Sequence, residues 1–306
     1  MNFLFKKIKT VIIYIVVAVL LVMIALFPRE VEVTYEGIAL TPVMKYSYSW
    51  KKHKKNIKEF YRSVKDDHTL GPTKFKNVAT EQELIRYAPR SIKVVAVAFL
   101  LSLILGFLKG IFDFRYRKSK LNIIGNGTTW LVQSIPDFFI VICLQWVILF
   151  TMPSVRMFSN HVWYNFIAIG IVVSIYPMMY LARITSAALA SEEGQPYIQV
   201  ARSKGFTEKI VLYKHILRNS MQTILIHFTP LMVYVISSLL VTEYLVGYQG
   251  LAYRMFVAIG TLEGLGIGMA PNYEPGIVIG TGLIFTSLVI FAQLTGYIIK
   301  RSLRLQ

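Results

Sequence analysis

Val11-Ile-Ile-Tyr-Ile-Val-Val-Ala-Val-Leu-Leu-Val-Met-Ile-Ala-Leu-Phe27 is an unbroken apolar run. Lys6, Lys7 and Lys9 precede it, and Pro28, Arg29 and Glu30 follow. A secretory signal peptide also joins bases to an apolar centre, but that centre is shorter and small residues mark its cleavage site. Here the run is long and no such residues follow, so it reads as an uncleaved membrane helix with its N-terminus in the cytoplasm.

Five further runs have comparable length, at about Ser91–Phe112, Thr129–Met152, Asn165–Leu181, Gln222–Leu245 and Gly276–Ile299. Each is close to the ~20 residues a helix needs to cross hydrocarbon. The expected fold is an all-α integral membrane protein. It has six transmembrane helices, cytoplasmic N and C termini, and an external segment between spans 1 and 2. Composition agrees. Of 306 residues, 55% are hydrophobic and only 16% charged, against about 25% charged in soluble domains. That excludes an ordinary soluble enzyme and a disordered basic chain.

The net charge of +17 is largely a topology signal. Lys109, Arg115, Arg117, Lys118, Lys120, Arg183, Arg202, Lys204, Lys209, Lys214, Arg218, Lys300, Arg301 and Arg304 fall on the side of the N-terminus, which the positive-inside rule makes cytoplasmic. The short outer loops carry only Arg156 and Arg254. Residues 28–93 hold fourteen Lys and Arg against eight acids, yet alternation places them outside. Loops longer than about 60 residues translocate largely regardless of charge, so the placement stands. The domain reading is residues 1–27 as an anchor with the first span, 28–90 as a basic, partly helical extracytoplasmic segment, and 91–306 as the core.

Motifs of catalysis are missing. Cys143 is the one cysteine, so no intrachain disulfide and no cysteine-based metal site can form. There is no phosphate-binding Gly-x-x-x-x-Gly-Lys-Ser/Thr loop; Gly106-Phe-Leu-Lys-Gly110 reads as a glycine pair at a helix end. His53, His68, His161, His215 and His227 are scattered, which argues against a metal centre. The chain reads as no enzyme and as holding no metal or cofactor of its own.

The cytoplasmic loop at about 182–221 is the most informative stretch. Pro196 suits the first turn of a helix, where its missing N–H is harmless. Gly205 supplies a left-handed stop after Lys204. Thr207 can cap a following helix, with Glu208 at its positive end. Ile210, Val211, Leu212, Ile216 and Leu217 make that helix amphipathic. It could lie in the membrane interface, or present a rigid helix to a soluble partner's groove.

Val200-Ala201-x-x-x-Gly205, Ile210 and His215-Ile-Leu-Arg-Asn219 resemble the coupling loop of ABC importer permeases, most closely the oligopeptide/dipeptide/nickel family. Leu70-Gly71, Ser134-Ile-Pro136-Asp-Phe138, Tyr180-Leu-Ala-Arg183, Glu243-Tyr-Leu-Val-Gly-Tyr-Gln-Gly250 and Asn272-Tyr-Glu-Pro275 resemble further segments of that family in order. The resemblance covers roughly residues 65–306. The chain departs from it at Pro28-Arg-Glu, at Gln222-Thr223, at Met232–Ser238 and in the placing of Pro275.

The resemblance implies a permease subunit in the bacterial cytoplasmic membrane that forms half of a translocation pore. Its partners would be a second permease, two cytoplasmic ATPases that bind ATP and Mg, and an extracytoplasmic substrate-binding protein. Coupling to the ATPase would run through residues 196–218, with Tyr197, Ile198, Ala201, Arg202, Lys204, Gly205, Phe206, His215 and Arg218 as the site. Peptides are the leading cargo, with nickel or metal chelates as the alternative. Pro136, Asp137, Pro230 and Glu243 are the pore or gating candidates: ionisable residues within spans are functional candidates by default, and Pro136 and Pro230, like Pro177, interrupt spans, which reads as kinked packing or as gating. Lys51, Lys52, Lys54 and Lys55 are candidates for docking the binding protein. A non-transporting receptor and a self-contained secondary transporter remain as rival classes; neither needs the Ala201–Gly205 turn.

Overall fold

The structure, a computed structural model, describes residues 2–29, 31–36, 41–75, 78–151, 162–260 and 273–302. The expectations for Arg156, His161, Asn272 and Arg304 fall outside these residues. The elements in order are α1 (Asn2–Ala25), β1 (Val31–Glu36), β2 (Thr41–Tyr46), α2 (Trp50–Lys65), α3 (Thr80–Tyr116), α4 (Thr128–Ser134), α5 (Asp137–Thr151), α6 (Asn165–Glu193), α7 (Pro196–Ser203), α8 (Glu208–Ile210), α9 (Leu217–Ile226), α10 (Phe228–Val246), α11 (Leu251–Ile259) and α12 (Pro275–Ser302). Outside the antiparallel hairpin β1–β2, with Val31 opposite Tyr46 and Glu36 opposite Thr41, the described elements are helical.

Among the described residues α3, α6, α10 and α12 are long and apolar enough to cross a membrane. A fifth candidate is a broken one. The expected straight span at 129–152 is two helical stretches, Lys120–Ser134 and Asp137–Thr151, bent by 103°. The break falls at Ile135-Pro136, where Ile135 is extended (φ −100°, ψ 134°) because proline excludes helical geometry from the residue before it. The expected span at 222–245 is also interrupted near Pro230: α9 ends at Ile226, His227 is non-helical (φ −84°, ψ 4°), and α10 begins at Phe228. The restart places Pro230 in the first turn of α10, where its missing N–H is tolerated.

The chain divides into two compact units. The first comprises Met1–Pro89 and Gly250–Phe285, the second Arg90–Gln249 and Thr286–Gln306. In the first unit, the C-terminal end of α1 is closed by side chains. A helix ends with unpaired carbonyls, which must find donors if buried. His53 Nε2 donates to Met23 O (3.1 Å), Asn56 Nδ2 to Leu26 O (3.2 Å) and Tyr273 OH to Ala25 O (2.6 Å). His53 is buried among Phe27, Tyr48 and Trp50, so α2 turns one face inward while Lys51, Lys52, Lys54 and Lys55 stay exposed. Burial pushes the Tyr273 phenol up, despite Arg29 stacked on its ring, so it remains a donor. Glu81 shapes the Leu70-Gly71 turn by accepting from Leu70 N–H (2.5 Å) and Thr69 Oγ1 (3.0 Å). Burial opposes its charge, but these hydrogen bonds outweigh burial and hold its carboxyl below the usual range.

The second unit is organised by close helix contact. A Cβ on Gly106 would meet Met178 O at 2.7 Å, and one on Gly110 would meet Thr185 Cβ at 2.4 Å. Gly170 on α6 admits Val97 in the same way. The glycine pair is therefore the seam by which α3 packs on α6, as small residues spaced by four permit close helix approach in membranes. The Ser174 carbonyl on α6 accepts from Ser102 Oγ (3.2 Å), a further tie between α3 and α6.

Candidate functional site

The loop after α6 begins later than expected, since α6 runs to Glu193. Pro196 stands at the start of α7 with Gln195 as N-cap. At the other end Phe206 N–H donates to Ala201 O (3.4 Å) and Gly205 N–H to Arg202 O (2.9 Å), which is the Schellman pattern. Gly205 has φ +80°, and a Cβ there would meet nothing within 4 Å. Glycine is needed for its backbone conformation, not for space. Thr207 occupies the N-cap of α8, but its side chain makes no capping bond.

Beneath the turn, Ile198 and Ala201 are buried with Phe114, Leu189, Val211, Leu212 and Ile216. This corrects the expectation for Ile198 as a partner contact: it is 0% exposed and anchors α7 from within. The outward apolar groups are Tyr197, Val200 and Phe206, with Ile210 and Tyr213 beyond the turn. Lys204 and Arg218 are exposed, and His215 packs its ring on Phe206 at 5.7 Å.

Ion pairs fix the loop's angle. Arg202 grips Glu208 with two donors, Nε to Oε1 (2.9 Å) and Nη2 to Oε2 (3.1 Å), and also reaches Glu193 (3.4 Å). Glu193 in turn pairs with Arg117 at the end of α3. Tyr197 OH donates to Glu192 (2.5 Å). The Glu208 hydrogen bonds outweigh burial and raise the Arg202 pKa above the ordinary arginine value. A groove of about 240 Å³ opens here, lined by Phe114, Arg117, Glu193, Glu208, Leu212 and Tyr213 among others.

The candidates within the spans separate. Glu243 is 0% exposed and accepts from Ser91 Oγ (2.5 Å), so it fastens α10 to α3. Asp137 is half-buried at the first turn of α5, where Oδ1 accepts from Phe138 N–H (2.9 Å) and Oδ2 from Ser238 Oγ (3.1 Å).

Two charged clusters escaped the sequence reading. Lys109 and Asp113 form a largely buried pair at 2.9 Å; Asp113 also accepts from Thr129 Oγ1 (2.6 Å), which holds the start of α4 against α3. Their i, i+4 spacing on a helix was the available signal. In the first unit, buried Arg254 donates to Glu83 (2.9 Å) and to both oxygens of Glu274 (3.0 and 2.7 Å). A lone arginine inside the apolar stretch of α11 was the only hint.

The fold combines long apolar helices with a broken pair before α6 and a short helix after it. It is similar to the solved structure titled as inward-facing MetNI methionine ABC transporter. The TM-score is 0.56 at 19% identity, over 73% of this chain and 97% of that one, a likeness of fold. Residues 94–305 match the family described as binding-protein-dependent transport system inner membrane component, and the chain belongs to that family. It is thus a multi-pass inner-membrane transport component, as the motif resemblance implied.

Among relatives, the dipeptide transport system permease protein DppB of Lactococcus lactis subsp. cremoris is 30% identical over 44% of each chain. The oligopeptide transport system permease protein AppB of Bacillus subtilis is 23% identical over 70% of this chain and 71% of its own. The chain spans about half the length of several curated relatives it matches.

Proposed function

We propose that this chain is a permease subunit of an ATP-driven importer of peptides and forms half of the translocation pore. The observation that carries the reading is α7, held by buried Ile198 and Ala201 and by Arg202, stopped by left-handed Gly205, and offering Tyr197, Val200 and Phe206 outward. Such a stiff, solvent-facing apolar helix fits a groove on a soluble partner. An ATPase seated there would move α7 as it closes, and the Arg202–Glu193–Arg117 chain would pass that movement to α6 and α3. ATP and Mg belong to that partner.

In this reading α1 is the first of six spans, the broken α4–α5 stretch is the third, both termini are cytoplasmic, and residues 28–90 face outward. The exposed lysines of α2 are offered to an extracytoplasmic substrate-binding protein, and a second permease completes the pore. Peptide cargo is suggested by the relatives' names. The test is purification of the tagged chain in mild detergent with the products of neighbouring genes, followed by ATPase assay in lipid with and without binding protein and peptide. Co-purification of an ATPase stimulated by loaded binding protein is expected. A chain that retains no ATPase under conditions that preserve its fold refutes the reading.

A further inference from the structure

Asp137 lies where a membrane protein least tolerates a lone charge. Its partner Ser238 is near the middle of α10, which begins at Phe228 and ends at Val246, so the hydrogen bond sets the carboxylate near the mid-depth of that helix. Its two hydrogen-bond donors, Phe138 N–H and Ser238 Oγ, are uncharged. A carboxylate at such depth is costly to expose to hydrocarbon, so it turns to water or cargo and not to lipid tails.

Aromatic groups gather on the same side. Tyr234 stands one turn before Ser238 on α10, and its ring lies 4.5 Å from Tyr180 and 5.8 Å from Tyr176 on α6. Tyr180 OH is 2.7 Å from His227 Nδ1, which fixes one edge of the group. The Tyr176 hydroxyl is within electrostatic reach of Asp137, and also of Arg183 two turns further along α6. Tyr234 is 37% exposed, so the cluster is open on one side. A carboxylate beside aromatic faces and hydroxyls receives a cationic nitrogen by ion pairing, hydrogen bonding and cation–π attraction together.

We propose that Asp137, Tyr176, Tyr180 and Tyr234 form a station in the translocation path that receives the ammonium end of the cargo. This rests on the importer reading and adds charge selectivity within the membrane to it. Arg183, two turns beyond Tyr176 on α6, suits the opposite, carboxylate end of a zwitterion.

The station is tested by charged thiol reagents. Cys143 is the chain's one cysteine, so Cys143→Ser gives a thiol-free background. Tyr234→Cys then places a reporter in the cluster of the full chain, in native membranes with its partner subunits. Modification rates by aminoethyl and sulfonatoethyl methanethiosulfonate are compared with those of a free thiol. The cationic reagent is expected to gain roughly tenfold over the anionic one, as charge-lined clefts concentrate counter-ions. Asp137→Asn, which retains the acceptor for Ser238, should return the ratio to that of the free thiol, and Asp137→Ser serves if the first variant does not insert. A ratio unchanged by neutralising Asp137 overturns the proposal, as does a reporter that neither reagent reaches. The ratio is read without ATP turnover. A charge-selective ratio with no co-purifying ATPase therefore supports the station while refuting the importer.

Discussion

Gly205 offers a clean perturbation, because its two physical roles separate. Its φ of +80° lies in the left-handed region, and a Cβ added there meets nothing within 4 Å. Substitution therefore costs backbone energy alone, about 1–2 kcal/mol for an ordinary L-residue. A penalty of that size shifts a local equilibrium by a factor of roughly 5–30. The packing of Ile198 and Ala201 opposes the shift, so α7 should lose its fixed angle without the helices around it unfolding. Asparagine tolerates the left-handed region better than alanine, and a β-branched residue tolerates it worst. The expected order of substrate-stimulated ATPase and uptake in proteoliposomes is Gly205, then Gly205→Asn, Gly205→Ala and Gly205→Val, with Gly205→Ala reduced several-fold. Membrane levels and thermal melting should stay nearly level across the series. Full coupling in Gly205→Val would refute the argument, and so would Gly205→Asn falling below Gly205→Val.

Three further outcomes are expected. Gly110→Ala drives a methyl to 2.4 Å from Thr185 Cβ and 2.7 Å from Ala182 O, and overpacking of this kind costs about 1–3 kcal/mol, so the detergent melting temperature should fall clearly, and Thr185→Ala, which keeps the Cβ, should not restore it. Asp113→Ala leaves Lys109 largely buried beside Gly125 O without its counter-charge; breaking such a pair costs about 3–5 kcal/mol, and limited proteolysis should cut residues 117–127 faster, whereas Asp113→Ala/Lys109→Met should restore protection. Glu81 has a lowered carboxyl pKa, so its contribution is complete above the unfolded value near 4.3 and is lost as pH falls through the folded value. The protection factor of the Leu70 amide, taken against its intrinsic exchange rate, should therefore fall on acidification below about pH 4.3, and Glu81→Gln should remove that pH dependence.

What the sequence made legible was local. Apolar runs located α3, α6, α10 and α12, and Pro196 and Gly205 announced the two ends of α7, because each of these signals acts within a few residues of itself. Pro136 was visible as an interruption, but the 103° bend depends on how α4 and α5 pack and has no local signature. Gly106 and Gly110 carry the α3–α6 seam only because Met178 and Thr185 stand opposite, far along the chain. Arg254 meets Glu83 across 171 positions, and Ser91 meets Glu243 across 152, separations that hydropathy and spacing do not address. Ile198 was misplaced for a related reason: an apolar residue on a short amphipathic helix can face a partner or its own chain, and the partnering core of Phe114 and Leu189 lies on other helices.

The closed end of α1 carries a consequence for biosynthesis. His53 and Asn56 follow α1 soon in the chain, but Tyr273, which supplies the donor for Ala25 O, is 248 positions later. During synthesis that carbonyl must wait for its donor until Tyr273 has been made, so α1 is not completed by contacts near it in the chain. A chain cut short before Tyr273 would thus display an unfinished end of α1.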